Sequence, residues 1–172
     1  ENEAAGKDFL SQVCVEWEAS TAEASSLGVR RVVAHTGLPL TFKGGVLPML
    51  ALPFRFFAGG PMGSGKQYIP WIHIADEIGA IEFLMGDEAT HGAYNLSAPN
   101  PLTNAEFSRV LGRVLKRPAW LPVPGIAMQF ALGELAELLL LSGQRQVPHR
   151  LLEAGYRFQF TDAEAALKDL LR

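Results

Sequence analysis

An amphipathic helix that leads directly into a buried-strand pattern constrains this chain more than any other feature. In "DFLSQVCVEWEAS" the apolar residues Phe9, Leu10, Val13, Cys14 and Trp17 fall on one helical stripe, with Asp8 placed to cap it. After Gly28, "VRRVVAHTG" reads as a short buried strand that ends in a Thr36-Gly37 loop. Helix followed by strand is half of an α/β unit, and a parallel strand needs neighbours on both sides. The expected class is α/β, with the strand that should precede the helix missing.

The rest of the chain continues in short elements. Residues 43–57 predict an irregular helix bent or ended by Pro53. "WIHIADEIGAIEFLMG" predicts a short strand and then a helix capped by Asp76, and "GAYNLSAP" a further strand. Thr103 with Glu106, and Thr161 with Glu164, have capping-box spacing ahead of two helices. Between these lies "PGIAMQFALGELAELLLLSG", read as a helix ending at Gly143, and then "YRFQF", which alternates as an edge strand.

"GPMGSGKQ", Gly60 to Gln67, comes within one residue of a phosphate-binding loop, with Gln67 where a Ser or Thr would hold magnesium. Its setting argues against that chemistry. Such a loop leaves a buried strand and opens a helix, whereas Pro53 and Arg55 lie upstream and the β-type "YIPWIHI" lies downstream.

The 15 basic and 18 acidic side chains are scattered, which predicts neither nucleic acid nor an anionic membrane surface as partner. One cysteine, Cys14, excludes an intramolecular disulfide and points to a reducing compartment, with a cytoplasmic location expected, or an organellar one in a eukaryote. The apolar run near "ALGELAELLLL" is too short to cross a bilayer and is interrupted by Glu134 and Glu137, which fit a solvated helix face. His35, His73, His91 and His149 lack zinc-ligand spacing, so no metal is expected. The chain begins with Glu1 rather than Met and is expected to be a fragment or a processed form.

Three stretches carry a resemblance: "GGPMGSGKQYIPWIHIADEIGAIEF", "NLSAPNPLTNAEF" and "LLLSGQRQVPHRLLEAGYRFQF". Together they make the chain similar to the C-terminal part of the extended short-chain dehydrogenase/reductase family, in its atypical epimerase-like branch. The resemblance implies the C-terminal portion of a Rossmann-like fold, with the N-terminal dinucleotide-binding half missing. It assigns residues 1–40 to the end of the NAD(P)-binding domain, 41–117 to a substrate-binding lobe and 118–172 to a small C-terminal domain. The implied cofactor is NADP or NAD, touched here by His35, Thr36, Gly37 and Leu38. A small substrate, nucleotide-linked or not, would meet Gln67, Trp71 and His73, and a homodimer would form through the helix at residues 8–25.

Two departures from the family pattern bear on activity. The usual Tyr-x-x-x-Lys pair aligns with Leu10 and Cys14, which cannot perform its acid/base chemistry, so no catalytic residue is assigned. His35 stands where close relatives carry an arginine beside a cofactor phosphate. An epimerase or oxidoreductase and a catalytically silent NADP(H)-binding regulatory or scaffold protein therefore both stand as readings. Single residues carry alternatives too. His73 is an acid/base or a structural strand histidine, Asp76 a helix cap or a catalyst, Trp71 a pocket wall or core, and Cys14 a small buried hydrophobe or a reactive thiol.

Overall fold

The computed structural model describes residue 6 and residues 9–123 and 143–171. The chain opens with α1 (Phe9–Ser20) and α2 (Glu23–Ser26), then β1 (Val32–Thr36), β2 (Leu38–Leu40) and α3 (Leu47–Arg55). There follow β3 (Tyr68–Ile69), β4 (Trp71–His73), α4 (Ile74–Gly86), β5 (Gly92–Leu96), β6 (Leu102–Thr103) and α5 (Asn104–Leu115). Beyond residue 142 come α6 (His149–Glu153) and α7 (Ala163–Leu170).

β1 pairs in parallel with β5, from Val32 opposite Gly92 to Thr36 opposite Leu96. β2 pairs in parallel with β4, from Leu38 opposite Trp71 to Leu40 opposite His73, and β3 is antiparallel to β6. β4 separates two cores by the period-2 alternation of a strand. Trp71 joins Leu40, Leu47, Phe54, Phe107, Leu111 and Leu167 on one side, while Ile72 joins Ala80, Leu84, Tyr94, Leu96 and Leu151 on the other.

Local chemistry fixes the helix ends. Thr103 and Glu106 form the expected capping box at the start of α5, the Glu106 carboxylate accepting the Thr103 N–H at 2.8 Å. At the far end of α4 the Arg30 guanidinium donates to the carbonyls of Leu84 and Met85, each at 2.8 Å, placing a cation on the negative end of the helix dipole.

Several sequence expectations are corrected. The cap of α4 is His73, whose Nδ1 accepts the Ala75 N–H at 3.0 Å, and Asp76 lies one turn inside, fully buried. The cap of α7 is Asp162 rather than Thr161, because the Asp162 carboxylate takes the Ala165 N–H. "YRFQF" is not a strand: the Asp76 carboxylate draws in the N–H groups of Gln159 and Phe160, at 2.7 and 2.9 Å, in place of a neighbouring strand. α1 has no buried residue among those described, and Cys14 is exposed rather than buried. Asp8 and the helix expected over "PGIAMQFALGELAELLLLSG" as far as Ser142, with Glu134 and Glu137, lie outside the described residues.

Candidate functional site

The site is organised around Gly37, where one extended segment changes partner. The Gly37 N–H donates to the Leu96 carbonyl of β5 at 2.9 Å, and the Leu38 N–H donates to the Pro70 carbonyl ahead of β4 at 2.6 Å. The segment thus switches partner at the carboxyl ends of β1 and β5, and in an open parallel sheet a ligand crevice lies at the carboxyl ends of strands where their order switches. Only glycine fits the junction, since a Cβ would stand 2.2 Å from the Pro70 oxygen.

Thr36, the last residue of β1, is exposed and donates its hydroxyl to Glu77 Oε1 at 2.9 Å. Glu77 belongs to the first turn of α4, which lies across the face of β1 that carries Val32, Ala34 and Thr36. The Glu77 side chain is buried, at 6% exposure, and among the described residues Oε2 has no hydrogen-bond partner. Burial pushes its carboxyl above the ordinary glutamate value, against the lowering effect of the Thr36 hydroxyl. Sequence reasoning passed over Glu77, although a signal was present. It falls on a helical stripe with Ile81, Leu84 and Met85, where an apolar residue is expected.

His35 faces away from this pair, its Nε2 3.0 Å from Glu18 Oε1 on α1. A strap from the C-terminal region closes over the same strand ends. Gln146 donates to the His35 carbonyl at 2.5 Å, and the Gln146 and Val147 carbonyls accept from Ser97 and Asn95 at 3.3 and 3.0 Å.

His73 is 3% exposed and stacks on Phe160, with ring centroids 3.9 Å apart. Because Nδ1 accepts a backbone N–H, the proton of the neutral ring resides on Nε2, 3.4 Å from Asp169 Oδ2 and outside hydrogen-bond alignment. Burial lowers its pKa, and the nearby Asp169 and Asp76 carboxylates oppose that effect. Next to it the Tyr156 hydroxyl donates to the Asp76 carbonyl at 3.1 Å, and burial foremost, then Asp76, pushes the phenol up to about 12. A phenol held so high makes a poor general acid/base near neutral pH.

The glycine-rich loop is tied to the fold by its own bonds. Met62 N–H donates to Asn104 Oδ1 at 2.7 Å, Gln67 Nε2 to the Met62 carbonyl at 2.9 Å, and the Leu121 and Val123 N–H groups to Gly59 and Pro61. It leads into β3 rather than a helix, so it has no phosphate-cradle geometry. Trp71 is 1% exposed, its indole N–H on the Asn100 carbonyl at 3.2 Å. The structure thus brings Thr36, Gly37 and Leu38 together at the strand switch, sets His35 against α1, and separates Gln67 from the core positions of Trp71 and His73. Among the described residues no group of His, Cys, Asp and Glu is arranged to hold a metal ion, and no helix is long and apolar enough to cross a membrane.

Comparison with known proteins identifies this arrangement. The chain is 40% identical over 164 residues to the epimerase family protein SDR39U1 of Homo sapiens, covering 95% of this chain and 56% of that protein. It is 39% identical over 165 residues to the epimerase family protein YfhF of Bacillus subtilis, covering 96% and 54%. The chain resembles these epimerase family proteins along nearly its whole length. The crystal structure of human SDR39U1, isoform 2, with NADPH superposes on 99% of the chain and 58% of its own length, at a TM-score of 0.90 and 37% identity. A nucleoside-diphosphate sugar epimerase from Corynebacterium glutamicum follows at 0.80 and 32%, over 99% of this chain and 32% of that one. Residues 123–170 match a domain of unknown function, DUF1731.

This family match corrects the expected fold class. The chain was to be the C-terminal portion of a Rossmann-like extended protein with the N-terminal dinucleotide-binding half missing. The epimerase family members instead align along 95% of this chain or more, and the human structure superposes on 99% of it as one Rossmann-like unit. The chain spans about half the length of the curated relatives it matches.

Proposed function

We propose that this chain serves an NAD(P)-binding, epimerase- or oxidoreductase-like protein that acts on a small substrate of the nucleotide-linked class. The observation that carries the reading is the strand switch at Gly37, where the β1 segment passes from β5 to β4 at the carboxyl ends of β1 and β5, the place where an open parallel sheet takes its ligand. The superposition on a human relative solved with NADPH supports the same cofactor. His35, Thr36, Gly37 and Leu38 form the rim of its site, and the Glu77 oxygen behind Thr36, which has no partner among the described residues, fits a polar ligand there. When bound, a nicotinamide cofactor supplies a hydride donor or acceptor. This chain's part is to turn the strand from one partner to the other at Gly37, orient the Thr36 hydroxyl through Glu77 and cover the strand ends with the strap at Gln146 and Val147.

A second reading, a silent NADP(H)-binding regulatory protein, draws on the absent tyrosine-lysine pair. The helix that should carry it presents Leu10 and Cys14, and the Tyr156 phenol is engaged with Asp76. Titration of the protein with NADPH and NADH, read by fluorescence, tests the shared core of both readings, and lack of saturable binding sinks them together. Turnover with nucleotide sugars, ketones or quinones that stops when the cofactor is withheld excludes the silent reading.

A further inference from the structure

We propose that Thr36 and Glu77 form a two-residue acceptor that selects an uncharged N–H or O–H donor on the nicotinamide end of the cofactor and rejects phosphate. The proposal rests on the cofactor reading above and adds a residue, Glu77, that sequence patterns did not assign. A hydroxyl carries one proton, and that of Thr36 is committed to Glu77 Oε1 at 2.9 Å. Thr36, exposed at the end of β1, therefore offers the crevice only lone pairs, and a ligand group meeting it must bring a donor. Phosphate oxygens are acceptors near neutral pH and find no partner there.

Glu77 acts through Thr36 and is a positioning residue. Its place on a stripe with Ile81, Leu84 and Met85 is one where a leucine would bury apolar surface at no polar cost. The fold retains instead a carboxyl that is more than nine-tenths buried and whose Oε2 has no partner among the described residues, an expense expected where the group serves a ligand rather than packing.

The test uses Thr36→Val, Glu77→Leu and Glu77→Gln in the whole protein. Affinity is measured by calorimetry for NADPH and for 2′-phospho-ADP-ribose, which lacks the nicotinamide, and each variant's thermal midpoint is recorded. Thr36→Val and Glu77→Leu should weaken NADPH about 3- to 10-fold, the range of one uncharged hydrogen bond, and leave 2′-phospho-ADP-ribose unchanged. Glu77→Gln keeps an acceptor for the Thr36 hydroxyl and should restore most of the affinity. The thermal midpoint of Glu77→Leu should hold or rise. Unchanged NADPH affinity in Thr36→Val, or equal losses for both ligands, overturns the proposal. A wild-type protein that binds 2′-phospho-ADP-ribose but not NADPH overturns it as well, whereas one that binds neither removes the cofactor reading itself.

Discussion

Glu77 and Asp76 are adjacent acids in the first turn of α4, and their surroundings give them opposite behaviour. Asp76 accepts from two backbone N–H groups, whereas Glu77 has an oxygen with no hydrogen-bond partner among the described residues and a raised pKa. The sign of the pH effect follows from that shift. With its folded pKa above the unfolded value near 4.5, Glu77 binds its proton more tightly in the folded state, so its contribution to stability falls as pH rises through that window. Denaturant unfolding of Glu77→Gln from pH 4 to 8 should show a flatter decline with rising pH than wild type. His73 has the opposite sign, its lowered pKa costing stability as pH falls below about 6.5. Asp76→Ala leaves two partly buried N–H donors without their acceptor, and equilibrium denaturation should register a loss of about 2 kcal/mol. Sequence alone placed Asp76 at the helix start but not on its partners, because Gln159 and Phe160 lie 83 and 84 positions away.

Among the elements, those whose determinants are local were readable. The Thr103–Glu106 capping box, the strands containing His35, Trp71 and Tyr94, and the helix with Pro53 follow from short patterns and recur in the structure. "YRFQF" was misread because alternation specifies two faces but not a strand partner, and Asp76 supplied the bonds instead. Two positions test the element ends. Lys116 terminates α5 in the left-handed region at φ 54°, a conformation that costs a non-glycine residue roughly 1–2 kcal/mol. Lys116→Gly should therefore raise stability by about 1 kcal/mol in thermal or chemical unfolding. Gly37→Ala should act in the other direction, losing about 2 kcal/mol or more as the new Cβ is driven toward the Pro70 oxygen, with cofactor affinity falling alongside.

At the scale of the molecule, the position of the crevice depends on strand order, which no single segment states. The "AHTGLP" stretch suggested a loop after a strand, yet the handover of that strand from β5 to β4 appears only once the parallel pairs are assembled. We propose that the homodimer expected through residues 8–25 uses the exposed rings of Phe9 and Trp17 on α1. If that face joins two copies, Phe9→Ser with Trp17→Ser should shift sedimentation from dimer to monomer; an unchanged sedimentation coefficient would discard it.

The Asp76 clasp also bears on the order of folding. Contacts between residues more than eighty positions apart require a large loop to close before they return any stabilisation, and such contacts tend to form after the rate-limiting step. The Asp76 bonds to Gln159 and Phe160 belong to that class, whereas the helix caps and the β3–β6 pair close shorter spans. Stopped-flow measurements on Asp76→Ala should then find refolding nearly as fast as wild type and the stability loss almost wholly in faster unfolding, so that one buried carboxylate sets the lifetime of the native state.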